Sequence, residues 1–207
     1  MPKRGAFVVL EGIDNSGKST TMKAVKGMLE AEGEFVVAYH FPTEHSAVGV
    51  LIGKFLVNEL DLTPQAAFLI MSADRWEMNP IIDAYLDAGN TVLCDRHAPS
   101  GAAYGIATNT KGMTAAWCQT ADSGLLVPDA VIYFDLPAEV ACRRADFGKQ
   151  RTEKVEYQKR VADAFNYLYS EEDGWHNVDA TMPPEQLIEA VAAECRRVIA
   201  AVKDSQA

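Results

Sequence analysis

Apolar positions along the chain gather into short, nearly continuous runs: AFVVLE (6–11), FVVAY (35–39), TVLCD (91–95), AVIYFD (130–135) and a shorter WHNVD (175–179). Runs of this length, rich in Val, Ile, Leu and Phe and lacking polar alternation, predict strands covered on both faces. Between them, segments 18–32, 65–88, 114–123, 137–146, 153–171 and 184–203 carry apolar residues at helical spacing. Strand–helix alternation with connections of crossover length predicts a mostly parallel sheet packed between helices. Pro80 interrupts the 65–88 pattern, so a kink or a break into two helices is expected there. No repeat, low-complexity tract or Gly/Pro/Ser-rich linker divides the 207 residues, which read as one α/β domain over 1–207.

Composition narrows the partners. The formal net charge of -10 argues against nucleic acid, whose phosphates need a basic stripe, but not against a small anion met by a local cationic cluster. No apolar stretch is long enough to span a membrane, and MPKRG runs into the first strand without a signal-peptide pattern. Cys94, Cys118, Cys142 and Cys195 are widely spaced with no metal-ligand rhythm. They read as reduced thiols of a cytoplasmic protein, with or without a nuclear pool.

The strongest chemical signal is EGIDNSGKSTT (11–21). Gly12 to Ser19 fits G-x-x-x-x-G-K-[ST] in full, after a predicted strand and before a predicted helix. Glycines let the backbone turn tightly and aim N–H groups inward, and the helix N-terminus adds partial positive charge. Lys18 can reach the outer phosphates of a nucleoside triphosphate, and the Ser19 hydroxyl can bind Mg²⁺. A GTPase switch would add N-K-x-D and D-x-x-G elements, and the sequence has neither. A motor or DNA-handling ATPase would bring a longer chain or a basic surface. A small-molecule kinase requires a second anion site in line with the γ-phosphate.

TVLCDRHAPSG supplies that second site. Asp95 and Arg96 fall at the carboxyl end of a predicted parallel strand, where such sheets bind ligands. The acid can hold Mg²⁺ through water or orient an acceptor oxygen, and the arginine can clamp a phosphate bidentately. Phe68, Met71 and Arg75 share one helical face. Taken alone this reads first as core packing with an arginine rim, and otherwise as a platform for a flat base with a carbonyl edge. RRADFGKQR concentrates Arg143, Arg144, Lys149 and Arg151. Beside a phosphate-binding loop this reads as a basic lid over about 143–153, and without one as a solvated basic helix end. The DFG at Asp146 is no protein-kinase signature, since the accompanying motifs are missing from the sequence.

Together RGAFVVLEGIDNSGKST, HFP, SADRWE, DRHAPSG, WCQTADSGLLVPD, FGKQRTE and NVDAT cover nearly the whole chain. In this order and spacing they resemble the thymidylate kinase family, particularly its eukaryotic and poxvirus-like branch. The resemblance implies a three-layer P-loop kinase fold with a five-stranded parallel sheet, a short lid and a homodimer formed by helix packing. It also implies phosphoryl transfer from ATP·Mg²⁺ to dTMP, giving dTDP. By the same resemblance Gly12, Asn15, Ser16, Gly17, Lys18, Ser19 and Thr20 would hold the ATP phosphates. Arg144 would bind ATP from the lid, and Asp179 and Ala180, running on to Thr181, would lie beside the adenine. Asp14 would meet the acceptor's sugar 3′-oxygen, while Phe41, Pro42, Phe68 and Met71 would border the nucleoside. Arg75 would meet the thymine edge and Arg96 the dTMP phosphate. Ser100, Gly101 and Gln158 would flank the acceptor, and Tyr104 would crowd the sugar 2′ carbon. Ser19 and Asp95 would act with Mg²⁺, and Arg143 and Arg151 would serve catalysis from the lid.

Four positions depart from the pattern of relatives. Asn15 stands where many carry a P-loop arginine, so the lid cations are expected to substitute. Met71 replaces a stacking Phe with a less rigid thioether. Glu44 stands where relatives often carry an arginine for the acceptor phosphate, and is expected to turn away from a dianion. His97 replaces a Tyr, with packing as its default role. The sequence leaves contact between ligand and Glu44 or His45 open. It also leaves two other functions: a broader pyrimidine deoxynucleoside monophosphate kinase that accepts dUMP, and a nucleotide-binding protein that has lost catalysis.

Overall fold

Each of the five apolar runs forms a strand in the computed structural model, which describes residues 4–44, 46–144, 147–169 and 173–205. His45 and Asp146 lie outside the described residues. The strands are β1 (Phe7–Glu11), β2 (Val36–His40), β3 (Thr91–Asp95), β4 (Ala130–Asp135) and β5 (Trp175–Asp179). All neighbours pair in parallel, in the order β2-β3-β1-β4-β5. Every residue of β1 and β3 is buried, as continuous apolar runs require, whereas the edge strands are only partly so. The expected P-loop kinase architecture, a five-stranded parallel sheet between helices, is the one observed. Register sets the later chemistry: Leu10 pairs with Asp95, bringing the carboxyl ends of β1 and β3 side by side.

The helices are α1 (Lys18–Ala31), α2 (Ala47–Leu56), α3 (Pro64–Asp87), α4 (Ala98–Ala107), α5 (Ala115–Thr120), α6 (Ala138–Ala141), α7 (Val155–Tyr169) and α8 (Pro184–Ser205). None in the described residues is long and apolar enough to cross a membrane. The expected break at Pro80 does not occur, because α3 runs through it as one element. A proline inside a helix costs about 3 kcal/mol. Beyond Pro80, Ile82 and Leu86 are fully buried against Phe7, Val92 and Cys94, and each such side chain contributes roughly 1.5–3 kcal/mol. That burial offsets the lost hydrogen bond.

Helices α2 and α4 have no counterpart in the apolar periodicity. Ser46 caps α2, its hydroxyl accepting from the Gly49 N–H at 2.8 Å. The sequence of α4, APSGAAYGIA, is poor in large apolar residues and contains two glycines, each of which weakens a helix by about 1 kcal/mol against alanine. Close packing explains both. A Cβ at Gly101 would lie 2.4 Å from Arg75 Nη2, and one at Gly105 would lie 2.9 Å from Cys118 Sγ. The main core joins β1, β3 and β4 to α1, α7 and α8, with Leu10, Leu93, Ile132, Phe134 and Phe165 at its centre.

Candidate active site

Buried strands β1 and β3 end together, and their ends build the site. The loop leaving β1 needs left-handed backbone at Gly12 (φ 141°), Asn15 (φ 58°) and Gly17 (φ 102°). At Gly12 even the space excludes another residue, since a Cβ would stand 2.9 Å from the Phe134 carbonyl oxygen. Lys18 folds over this loop, its Nζ donating to the carbonyls of Gly12 (3.1 Å) and Ile13 (2.7 Å) and to Ser16 Oγ (3.1 Å). Burial, with nearby Arg96 in the same direction, lowers its pKa to about 8, against opposing carboxylates. At neutral pH the amine keeps its proton. No acidic side chain sits in the first turn of α1, so the helix end stays positive where phosphates would lie.

One strand over, Ser19 Oγ donates a hydrogen bond to Asp95 Oδ2. Among the described residues Asp95 Oδ1 is buried without a hydrogen-bond partner, the arrangement expected of a carboxylate that meets a hydrated cation. Among the described residues no group of three or more His, Cys, Asp or Glu side chains forms a metal cage. An ion here would therefore need ligands brought by the nucleotide.

Arg96 follows Asp95 with a left-handed backbone (φ 69°), a cost of order 1–3 kcal/mol tolerated where geometry is functional. Its Nη1 donates to the Gly12 carbonyl (3.0 Å) and Ser100 Oγ (3.1 Å), and its Nη2 to Asp14 Oδ1 (2.7 Å). Its guanidinium carbon also lies 5.0 Å from the centre of the Tyr104 ring. Asp14 is a hub. Oδ1 also accepts from the Tyr104 hydroxyl (2.7 Å), and Oδ2 from Thr152 Oγ1 (2.9 Å) and Gln158 Nε2 (2.6 Å). Gln158 is fully buried behind Asp14 and takes the Asp14 N–H on its Oε1 at 2.9 Å, which fixes the hub from below.

Two cavities open onto this hub. A cleft of about 820 Å³ runs from Ser16, Gly17, Ser19 and Thr20 past Asp95 and Arg144 to Met182, Pro184, Leu187 and Ile188 at the start of α8. A second cavity of about 80 Å³ is walled by Met71, Arg75, Ser100, Gly101 and Tyr104. Asp14, Phe41, Pro42 and Arg96 stand on the walls of both.

Several sequence expectations need correction. Phe68 does not line either cavity. It packs on Trp117, ring centres 5.0 Å apart, in a small core with Ala102, Met113 and Cys118, because its turn of α3 faces α4 and α5. Asp179 turns its carboxylate onto Thr181 and is exposed, and Ala180 is buried. The apolar wall at that end comes instead from Met182, Pro184, Leu187 and Ile188, whose signal was TMPPEQLI.

The lid cations also divide. Arg144 bridges the loop and the far wall, Nη1 donating to the Asn15 carbonyl and Nη2 to the Ala180 carbonyl, both at 2.9 Å. Arg143 is exposed and lines neither cavity. Arg151 points away from the cleft. It donates to the carbonyls of Phe55 and Leu60 (both 3.1 Å) and to Asp61 (2.7 Å), capping the end of α2 with its guanidinium 4.3 Å from the Phe55 ring centre. Carbonyls at and just beyond a helix C-terminus, together with a carboxylate, attract an arginine for ordinary electrostatic reasons. Lys149 is exposed as well, and Glu153 shapes the turn before α7 by accepting the N–H groups of Gly148, Lys149 and Gln150. Glu44 lines the cleft rim with a side chain 72% exposed, 3.7 Å from His40.

Three residues beyond the expected set prove structural to the site. Glu11, fully buried at the end of β1, accepts the N–H groups of His97 (2.9 Å) and Ser100 (3.0 Å) and the Ser100 hydroxyl (2.5 Å), so it caps α4 from another element. Burial raises its pKa. An acid closing an otherwise apolar strand was its signal. Asp122 grips Arg75 through Nη2 (2.6 Å) and Nε (3.2 Å), and Thr152 reaches Asp14 from the lid. His97 is 1% exposed, wedged between Phe7 and Phe41 at ring-centre distances of 5.4 and 5.6 Å, with neither ring nitrogen hydrogen-bonded among the described residues. Burial, aided by Arg75, depresses its pKa to about 3, so the ring is neutral.

A model of the family described as thymidylate kinase matches residues 10–191. The chain belongs to the thymidylate kinase family. It is 35% identical over 196 residues to the thymidylate kinase of Plasmodium falciparum, covering 95% of this chain and 92% of that one. It is 34% identical over 195 residues to the human thymidylate kinase, covering 94% and 89%. The solved thymidylate kinase of Candida albicans, described there as having broad substrate specificity, superposes with a TM-score of 0.87 at 27% identity over 95% of this chain and 93% of its own.

Proposed function

We propose that this chain transfers the γ-phosphoryl group of ATP to thymidine 5′-monophosphate, yielding dTDP and ADP. One observation carries the reading. Asp14 and Arg96 belong to the walls of both cavities, so a donor phosphate cradled by the loop and an acceptor seated beside Arg75 would meet at the same two side chains. Positioning of this kind removes much of the entropic barrier to a two-substrate reaction. Lys18, Arg144, Arg96 and the N-terminus of α1 spread cationic character around the region where negative charge shifts in phosphoryl transfer. Arg144 reaches the loop beside Asn15 and so supplies a guanidinium where the loop itself lacks one. Asp14 orients Arg96 and meets the acceptor sugar.

Ser19 and Asp95 fit a Mg²⁺ ion held largely by nucleotide phosphates and water, with Asp95 Oδ1 left to accept from that water. Held there, such an ion would supply positive charge against the phosphates. A homodimer is supported by exposed apolar side chains on two helices, Val50 and Val57 near α2 and Leu69 and Trp76 on α3. Sedimentation would test it. Activity is tested by ADP release with dTMP, dUMP, dCMP and dGMP as acceptors. Turnover with dTMP well above dCMP and dGMP is expected, and no turnover with any acceptor would overturn the proposal.

A further inference from the structure

Behind the acceptor pocket lies a buried polar assembly. Arg75 and Asp122 are each 4% exposed at the side chain and form a two-point pair, Nη2 to Oδ2 at 2.6 Å and Nε to Oδ1 at 3.2 Å. Ser72, one turn earlier on α3, donates its hydroxyl to Asp122 Oδ1 at 2.7 Å and to the Ala121 carbonyl at 3.1 Å. Trp76 Nε1 donates to the same carbonyl at 2.8 Å, so three residues of α3 hold the turn that presents Asp122. From the other side α4 presses on the pair, since a Cβ at Gly101 would meet Arg75 Nη2 at 2.4 Å and Asp122 Oδ2 at 3.1 Å. An arginine gripped on two nitrogens and backed by a helix has little freedom. Its Nη1 makes no hydrogen bond among the described residues, and Arg75 forms part of the cavity wall.

We propose that Asp122 is a positioning residue for base selection: by holding Nε and Nη2 of Arg75 it leaves one donor nitrogen aimed at the acceptor, so the pocket prefers a pyrimidine with a carbonyl at that edge over one with an amino group. This rests on the proposed function. A fixed donor meets a carbonyl oxygen favourably and an amino group unfavourably, and a buried site built for one hydrogen bond discriminates strongly against its inverse. Asp122 also cancels the charge of Arg75, so this end of the pocket does not compete with Arg96 for the acceptor phosphate. A purely structural ion pair would stabilise the fold without influencing which base is chosen.

The test compares wild type with Asp122→Asn and Ser72→Ala, measuring kcat and KM for dTMP, dUMP and dCMP together with Tm. In D122N the KM for dTMP should rise about tenfold, kcat should stay within about threefold, and the dTMP-over-dCMP preference in kcat/KM should fall about tenfold or more. S72A should lower the same preference about threefold, and it supplies the answer if D122N does not fold. A folded D122N, or otherwise S72A, that keeps the wild-type preference overturns the inference while leaving the kinase assignment standing. Wild-type protein that phosphorylates none of the three acceptors overturns the kinase assignment itself.

Discussion

On the proposed reading two arginines serve the two ends of the bound acceptor, and their surroundings differ. Arg75 rises from a long helix, is 4% exposed and is matched by a dedicated buried carboxylate. Arg96 sits on strained backbone, is 17% exposed, and shares its donors among a carbonyl, a hydroxyl and the Asp14 hub. The first is neutralised and locked, which suits reading the shape of a neutral base. The second keeps partners that a phosphate can replace, which suits binding charge. On the proposed reading one residue type serves selection at one end and affinity at the other, and the difference comes from the partner each arginine is given.

Substitutions can break this contrast in turn. Arg96→Ala should have the largest effect, lowering kcat/KM by about a thousandfold for dTMP and by a similar factor for dUMP and dCMP, because a phosphate is common to all. Steady-state kinetics with the three acceptors would show it, and a loss confined to dTMP would contradict the assignment. Arg75→Ala should cost roughly a hundredfold in kcat/KM for dTMP, mostly in KM, and far less for dCMP.

His97, beside both ends, makes a prediction in pH. Its pKa is about 3 in the folded protein and near the ordinary 6.5 when unfolded, so its contribution to stability is complete above pH 6.5 and is lost as pH falls towards 3. At pH 5.5 the loss is about 1 kcal/mol. His97→Phe should therefore flatten the fall of unfolding free energy between pH 7 and 5 by about 2 kcal/mol in urea titrations. Smallest of all is the effect expected of Arg151→Ala, an arginine committed to neither end. With its guanidinium on α2 and Asp61, removal should leave kcat within about threefold. A drop beyond tenfold would mean that it leaves α2 during turnover.

That last case shows where sequence reasoning stopped. The strands were legible because buried parallel strands carry unbroken apolar runs, and the phosphate loop because its glycines and lysine have one geometry. Helices α2 and α4 were not, since glycines chosen for close packing, such as Gly101 and Gly105, mask the apolar period. The lid arginines looked equivalent in RRADFGKQR, yet Arg144 docks on Asn15 and Arg151 on α2. Which cation meets which partner depends on tertiary contacts far apart in sequence. Asp122 was hidden for the same reason, lying 47 positions from the arginine it holds. Glu11 was visible only as the last letter of a strand.

The pairing of Leu10 with Asp95 has a mechanical consequence. Arg96 N–H closes onto the Leu10 carbonyl at 2.9 Å, so the two phosphate-handling segments are rungs of one ladder roughly 4.8 Å apart. On the proposed reading, donor and acceptor are gauged against a common rigid ruler. A slip of β1 by a single residue would turn Glu11 and its neighbours to the opposite face. Tolerance to insertion or deletion in β1 should accordingly be close to nil.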